Sequence, residues 1–407
     1  MNGSTAVIVV RRQLNKLQTG ANVYLCELLD VLNEVGFSVQ LVFAPESSFG
    51  NRPALQISTD FLVRCDKVHW AKTIRLGRFF VSVSPRVVGR VLHRLLREVA
   101  ARLHLAAPAP QHSRASEPLP FRETEQIARR VDMIAPDLVV AEYSALGPIL
   151  DLVGTPQARK AILLHDLFSL RARATLDHQL STDVKGFTLE EEAALCAHAD
   201  ILIYASKSER AIFKEYLPDR AHVWLAPSCK PLADIPPSGA PKALFMGVKH
   251  LGNLDAIAFL MTEIWPDVVA QKPDAELWIV GEIGSFLEPE WISLPGVKVL
   301  GVVKDLTSLG GADTLGLAPT RVGSGVSIKI ADYLRLGMTA IASKTAMEGY
   351  GQTLDQSVHL AETAKEFSDK IVACLNREAD AYHSGQRISF RESELRTVLK
   401  SAFRHDA

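Results

Sequence analysis

The sequence predicts an α/β protein of two Rossmann-like domains, each a doubly wound parallel sheet, facing each other across a cleft. Three observations carry this. Short, continuously apolar runs recur along the 407 residues, as strands buried on both faces require. Segments of helical period separate them, which is the βαβ rhythm of parallel sheets. The rhythm breaks at "APSCKPLADIPPSGAPK" (226–242), where five prolines without periodicity read as a linker. The boundaries expected are a first domain over 1–228, a linker over 229–241 and a second domain over 242–388. A last helix within 389–407 is expected to pack back on the first domain.

In the first half the expected strands are Ala6–Val10, Val39–Phe43, Leu138–Ala141, Ala161–Leu164, Ile201–Tyr204 and Val223–Ala226. The first helix, Gly20–Val35, keeps Leu25, Leu28, Leu29, Leu32 and Val35 on a 3.6-residue period. "APAPQHSRASEPLP" (107–120) reads as a surface loop within this half. In the second half the expected strands are Ala243–Met246, Leu277–Val280, Val297–Leu300, Thr314–Leu317 and Thr339–Ala342. Ligands of such sheets gather at the carboxyl ends of the strands, so the loops after these runs are where chemistry is sought.

Composition narrows the class. Apolar content of 47% with 22% charged residues suits a globular chain rather than a disordered one. Five scattered cysteines without CxxC spacing argue against zinc or a disulfide framework and for a reducing cytoplasm. No basic leader with a cleavage site opens the chain, and no apolar run approaches the ~20 residues that cross a bilayer.

"PTRVGSGVSIKIADYLRLGMTAIAS" (319–343) sets Gly323, Ser324 and Gly325 before an amphipathic helix expected over 325–336, with Lys329 and Asp332 in its first turns. By itself this is either an anion seat at a helix N-terminus or a plain turn with an N-cap. Its neighbours add weight. "LFMGVKHLGNLDAIAFL" (244–260), "PDAELWIVGEIG" (273–284), "LGVVKDL" (300–306) and "APTRVGSGVSIKIADYLRLGMTAIAS" (318–343) stand in order over about 100 residues. As a set they resemble the C-terminal domain of the family-4 glycosyltransferases of the GT-B fold. The first half resembles the same family more loosely, through "QTGANVYLCELLDVLNEVGFSVQLVF" (18–43), "LLHDLFSLRARA" (163–174) and "EEEAALCAHADILIYASKSERAIF" (190–213).

The resemblance implies a nucleotide-sugar donor and a retaining, metal-independent transfer, with no cofactor; no DxD-type carboxylate pair stands where a metal would bind. Backbone N–H groups of Gly323, Ser324, Gly325 and Val326 would cradle the diphosphate, with Lys329 adding a full charge where the leaving group gathers its own. Gly20, Lys249 and Arg321 would complete the donor site. Asp332 stands for the second of the family's two glutamates spaced eight apart, which takes the ribose hydroxyls, and Ser324 stands for the first. Val248 replaces an arginine found in many relatives. His165, at a strand end, would touch and orient the hexose. Ordinary roles stay open to each: a turn, an exposed i, i+3 helical pair, a satisfied strand-end histidine, a solvated cation.

Arg64–His104 carries ten Lys/Arg against Asp66 and Glu98, a balance of +8. Within Pro85–Leu105, Val88, Val91, Leu92, Leu95, Leu96, Val99 and Leu103 form one apolar face, with Arg86, Arg90, Arg94 and Arg97 largely elsewhere. That pattern suits a helix on an anionic membrane surface, with Trp70, Phe79 and Phe80 as an interfacial wedge. The competing reading is a core-packed helix with a solvated basic face; sparse stacking aromatics disfavour nucleic acid.

The expectation is therefore a hexosyltransferase using a nucleotide sugar, UDP-linked by preference. Its acceptor would be a glycan or lipid-linked saccharide of a bacterial surface polysaccharide, met from the cytoplasm at the inner membrane face. The alternatives are a catalytically silent GT-B binding module and a nucleotide-sugar epimerase.

Overall fold

The computed structural model describes residues 4–15, 20–102, 115–177, 184, 186–229, 232, 235, 239–354, 358–377 and 394–402. The first sheet and a small satellite sheet are built from β1 (Thr5–Val10), β2 (Ser38–Phe43), β3 (Ala54–Gln56), β4 (Lys67–His69), β5 (Thr73–Leu76), β6 (Phe79–Ser82), β7 (Leu138–Glu142), β8 (Arg159–Leu164), β9 (Ile201–Tyr204) and β10 (Ala221–Trp224). Seven of these form a parallel sheet in the order β10-β9-β8-β7-β1-β2-β4, and β3-β6-β5 form an antiparallel one. The second domain holds β11 (Lys242–Met246), β12 (Leu277–Val280), β13 (Val297–Gly301), β14 (Thr314–Ala318), β15 (Thr339–Ala342) and β16 (Val358–Leu360). These are parallel throughout, in the order β13-β12-β11-β14-β15-β16.

Strands are continuously apolar because both faces are covered. Ala6, Ile8 and Val10 pack under α1 (Gly20–Val35), whose Leu25, Leu28, Leu29 and Leu32 are inaccessible. Val7 and Val9 meet Ile127, Val131 and Leu146 on the other face. Each such side chain removes about 1.5–3 kcal/mol worth of apolar surface from water. The strand expected at Val223–Ala226 forms two residues earlier, and β3 to β6 and β16 were not anticipated. They are three or four residues long, and most of β5 is solvent-exposed, so they carry no long apolar run.

Sheet order reverses at β1/β7 and at β11/β14, and the loops after these strands open toward each other across the cleft. Around that frame lie α2 (Pro85–Arg102), α3 (Lys207–Phe213), α4 (Ile328–Arg335) and α5 (Glu394–Ala402). The last of these sits on the first domain: Leu395 and Leu399 join the core beside α1, and Glu394 accepts from Arg210 at 2.6 Å and from the Trp224 N–H at 3.2 Å. Of the loop read at 107–120, residues 107–114 lie outside the described residues.

α2 turns most of its apolar face outward, as the membrane-surface reading expects and the core-packed reading does not, but three of its arginines are tied to protein groups. Val87 and Val91 point inward together with Arg90, which donates to Gly50 O at 2.9 Å and Glu46 O at 2.7 Å. Arg86 is 3.5 Å from the buried Glu46 carboxylate and Arg94 pairs with Glu98 at 3.2 Å. Of the four arginines expected to face a membrane, only Arg97 extends free of such a tie among the described residues. The apolar face points outward: Val88, Leu92, Leu95, Leu96 and Val99 are about half exposed. Trp70 and Phe80 are not a wedge either. Trp70 stacks on Phe43 at 4.3 Å and packs against Phe80, all three within the core, while Phe79 alone stays exposed.

Candidate functional site

A cavity of about 1080 Å³ separates the domains and is lined by both. Its size matches what a drug-sized or nucleotide-sized ligand needs. The second-domain wall begins at the end of β14. Gly325 has φ +76°, a left-handed backbone that ends any attempt to start the helix there, so α4 begins at Ile328 rather than at residue 325. Lys329 therefore lies at the second residue of the helix. Tyr350 fixes this helix start: its hydroxyl donates to Ser327 O at 2.9 Å and accepts from the Ala331 N–H at 3.3 Å.

Gly323, Ser324, Gly325 and Val326 all line the cavity, as do Gly20, His165, Lys329 and Asp332. The four amides are not equivalent. Gly325 N–H donates at 2.7 Å to Oε1 of Glu209, a buried residue of α3 in the first domain, whose other oxygen accepts from Leu167 N–H at 3.2 Å. Burial and nearby Asp166 push the Glu209 carboxyl well above the usual range. The cradle expected from Gly323 to Val326 thus has one amide already closed on a carboxyl; among the described residues the other three have no protein acceptor.

Lys329 is half-buried, and its Nζ donates to Asn253 Oδ1 at 2.8 Å and sits 4.4 Å from the Phe245 ring centre. Burial pulls its pKa down to about 7, and no carboxylate pairs with it among the described residues. Asp332, one turn on, is raised to about 6 by burial, against the opposing pull of Arg335. Both are partly enclosed in the cavity wall rather than exposed, which removes the exposed-pair reading. Beside Asp332 lies Glu27 of α1, which sequence reasoning missed. It accepts from Ser228 N–H at 2.9 Å, burial raises it to about 7, and its second oxygen has no partner among the described residues. Nothing in "CELLD" distinguishes Glu27 from the solvated face of an amphipathic helix.

The first-domain wall is set by the ends of β1, β7 and β8. His165 Nε2 lies 2.9 Å from Glu142 Oε1, and Arg12 Nε reaches the same oxygen at 2.5 Å. Burial works against charge on Glu142, but Arg12 and His165 outweigh it and hold the carboxyl below its ordinary range. Burial dominates at His165 and lowers its pKa. Tyr24 and Tyr143 clamp the ring, with centroids 5.4 and 4.5 Å away. Tyr143 adopts φ +69°, the kind of strained backbone that clusters at working sites. The only sequence signal for Arg12 and Glu142 is that each charged residue follows an apolar run closely.

Two expected donor residues are corrected. Lys249 does not line the cavity; its ammonium sits 4.4 Å from the Phe286 ring centre, while its neighbours Val248 and His250 reach the cleft. Arg321 is closed on Asp255 at 2.7 and 3.1 Å, with Glu263 at 3.7 Å and the Phe259 ring beneath it. Both cations stack on aromatic rings outside the cavity lining. Among the described residues no group of three or more His, Cys, Asp or Glu is placed to hold a metal ion.

Two parallel-sheet domains that meet at their carboxyl strand ends, with a glycine loop and helix N-terminus on the second, define the GT-B fold of the glycosyltransferases. The resemblance read from the sequence is borne out: residues 240–377 match the family described as Glycosyl transferases group 1. Among solved structures, HepE from Anabaena in complex with UDP and glucose is 12% identical with a TM-score of 0.57, covering 98% of this chain and 95% of that one. Sucrose-phosphate synthase from Thermosynechococcus elongatus is 14% identical with a TM-score of 0.56, at the same coverages. The α,α-trehalose 6-phosphate synthase of Burkholderia multivorans is 12% identical with a TM-score of 0.56, covering 93% of this chain and 92% of that one. At these identities the likeness is one of fold. No curated protein matches this chain significantly.

Proposed function

We propose that this protein is a retaining, metal-independent hexosyltransferase that takes its sugar from a nucleoside diphosphate, UDP by preference. The observation that carries the reading is Lys329: a half-buried lysine without a counter-ion among the described residues, beside free amides at the head of α4, in a cavity shared by two domains. Burying an unpaired cation is unfavourable unless something anionic arrives to meet it. Pyrophosphate meets it, and the same contacts strengthen as the diphosphate departs with the bond electrons. Asp332 then accepts from the ribose hydroxyls, and His165 faces the hexose. UDP bound in HepE supports the choice of nucleotide.

The acceptor in this reading is a glycan or lipid-linked saccharide of a bacterial surface polysaccharide, reached with the protein docked on the inner face of the membrane. No helix among the described residues is long and apolar enough to cross a membrane. What supports docking is the outward apolar face of α2, with Arg86 and Arg97 exposed on the same helix.

The test is a thermal-shift and product-release panel of nucleotides and nucleotide sugars. UDP-sugars are expected to stabilise the protein and to be turned over slowly to UDP, a ligand at about 100 times its dissociation constant contributing about 2.7 kcal/mol. Lys329→Ala is expected to abolish both signals. Absence of any nucleotide-dependent shift in the unaltered protein would overturn the reading.

A further inference from the structure

In the proposed transfer His165 serves as a contact, and the two residues behind it have no part. Glu142 ends β7 and is about 1% exposed, yet only one of its oxygens is used. Oε1 takes both the Arg12 guanidinium and His165 Nε2, while Oε2 has no partner among the described residues. Arg12 is itself tied to α1 through Ala21 O at 2.6 Å and through Asn22 Oδ1, so the whole chain of contacts is anchored at the start of that helix. A carboxylate can only accept, so the ring nitrogen that meets it must carry the proton. In a neutral imidazole the other nitrogen then holds a lone pair. That nitrogen, Nδ1, is buried and has no protein partner among the described residues, on a residue that lines the cavity.

We propose that Arg12 and Glu142 are positioning residues that fix His165 as an acceptor at Nδ1, and that this selects donor sugars presenting a hydroxyl or amine there rather than a carboxylate. The inference rests on the glycosyltransferase reading of this cleft. A hydroxyl donates to Nδ1 and satisfies an otherwise stranded lone pair. The carboxylate of a uronic acid meets that lone pair with a second acceptor. Arg12 is closed on Glu142, and Arg171 on Asp166 at 3.2 Å and on His250 at 3.0 Å. Glu142 Oε2 keeps the ground behind the ring anionic. A buried acceptor left facing an acceptor is the arrangement by which sites reject a near-isostere.

Two measurements test it. Long-range proton–nitrogen spectra of the full chain, with His165 assigned by the signal missing in His165→Gln, are expected to show an unprotonated Nδ1 and a protonated Nε2 at neutral pH. The reverse tautomer overturns the proposal whether or not any nucleotide binds. Competition binding then compares UDP, UDP-glucose, UDP-galactose and UDP-N-acetylglucosamine with UDP-glucuronate and UDP-galacturonate. Neutral sugars are expected to bind at least about tenfold more tightly than the uronates. A uronate that binds as tightly as the best neutral sugar sinks the inference while leaving the nucleotide site intact; failure of UDP itself sinks the functional reading instead. Glu142→Gln keeps an oxygen to accept from Nε2–H and is expected to preserve tautomer and preference, whereas Glu142→Leu is expected to erase both.

Discussion

Lys329 shows how one residue sets stability against binding. Its pKa falls from 10.5 toward about 7 through burial. Between those values the unfolded chain holds a proton that the folded chain sheds, so stability rises as pH climbs from about 7 toward 10.5, and at neutral pH the residue costs the fold on the order of a few kcal/mol. Lys329→Met is therefore expected to raise the melting temperature at pH 7 by several degrees while removing UDP binding; a variant less stable than the parent would contradict this account. Pyrophosphate reverses the balance by holding the ammonium charged. Above about pH 7 binding must take up a proton, and the dissociation constant is expected to rise by up to about tenfold per pH unit. Calorimetry at pH 8 in two buffers of different ionisation enthalpy reads that uptake directly. The residue itself was legible in "SGVSIKIAD", because a lysine one step into a helix after glycines has few uses. Its burial was not, since Asn253 and Phe245, which enclose it, stand far earlier in the chain.

Among the elements, α2 shows what a sequence carries and what it withholds: the membrane-surface reading puts the apolar face outward but does not foresee the arginines tied to the domain. A 3.6-residue period identified the helix and its apolar face, but periodicity does not say which side turns inward. That was decided by Glu46 and Gly50, which draw Arg86 and Arg90 to the body of the domain and leave Val88, Leu92, Leu95, Leu96 and Val99 outside. Glu46 gathers Lys72 at 2.9 Å and Ser84 at 2.9 Å as well, and these contacts hold it below the ordinary carboxylate range in spite of burial. Ile74, Leu76 and Phe79 of the hairpin are exposed as well, and Arg75, Arg78, Arg86 and Arg97 on the same two elements are exposed basic residues. Such a surface partitions into the headgroup region, with each basic group near an anionic leaflet adding about 1 kcal/mol. Flotation with vesicles containing phosphatidylglycerol is expected to carry the protein upward, and Leu92→Glu with Leu96→Glu is expected to cut recovery at least about tenfold without altering the melting temperature, because both side chains are exposed. Equal recovery on purely zwitterionic vesicles would count against an anionic surface as the partner.

At the scale of the molecule, the alternation of apolar runs was enough to lay out both sheets except the edge strands β4 and β16, because parallel strands buried on two faces leave a strong, local signature and short edge strands do not. The cleft was legible only in part, since its walls are assembled from strand ends far apart in the chain. Gly325 faces His165 and Asp166, and a Cβ there would stand 3.1 Å from His165 O and 3.0 Å from Asp166 Cβ. Such contacts leave no local trace. The same distance in sequence governs α5, which returns from the second domain to cover α1 with Leu395 and Leu399, both essentially inaccessible. Since α1 also supplies Gly20 and Glu27 to the cavity, the final helix braces one wall of the site from behind. Leu399→Ala is expected to cost about 2–5 kcal/mol, the usual range for a buried leucine. Because the loss falls on the first domain, amide exchange should quicken in α1 and β10 while β11 and β12 keep their protection, and UDP affinity should drop although the nucleotide's own loop is untouched. Uniform loss of protection across both domains, or unchanged exchange in α1, would show that α5 does not brace that wall.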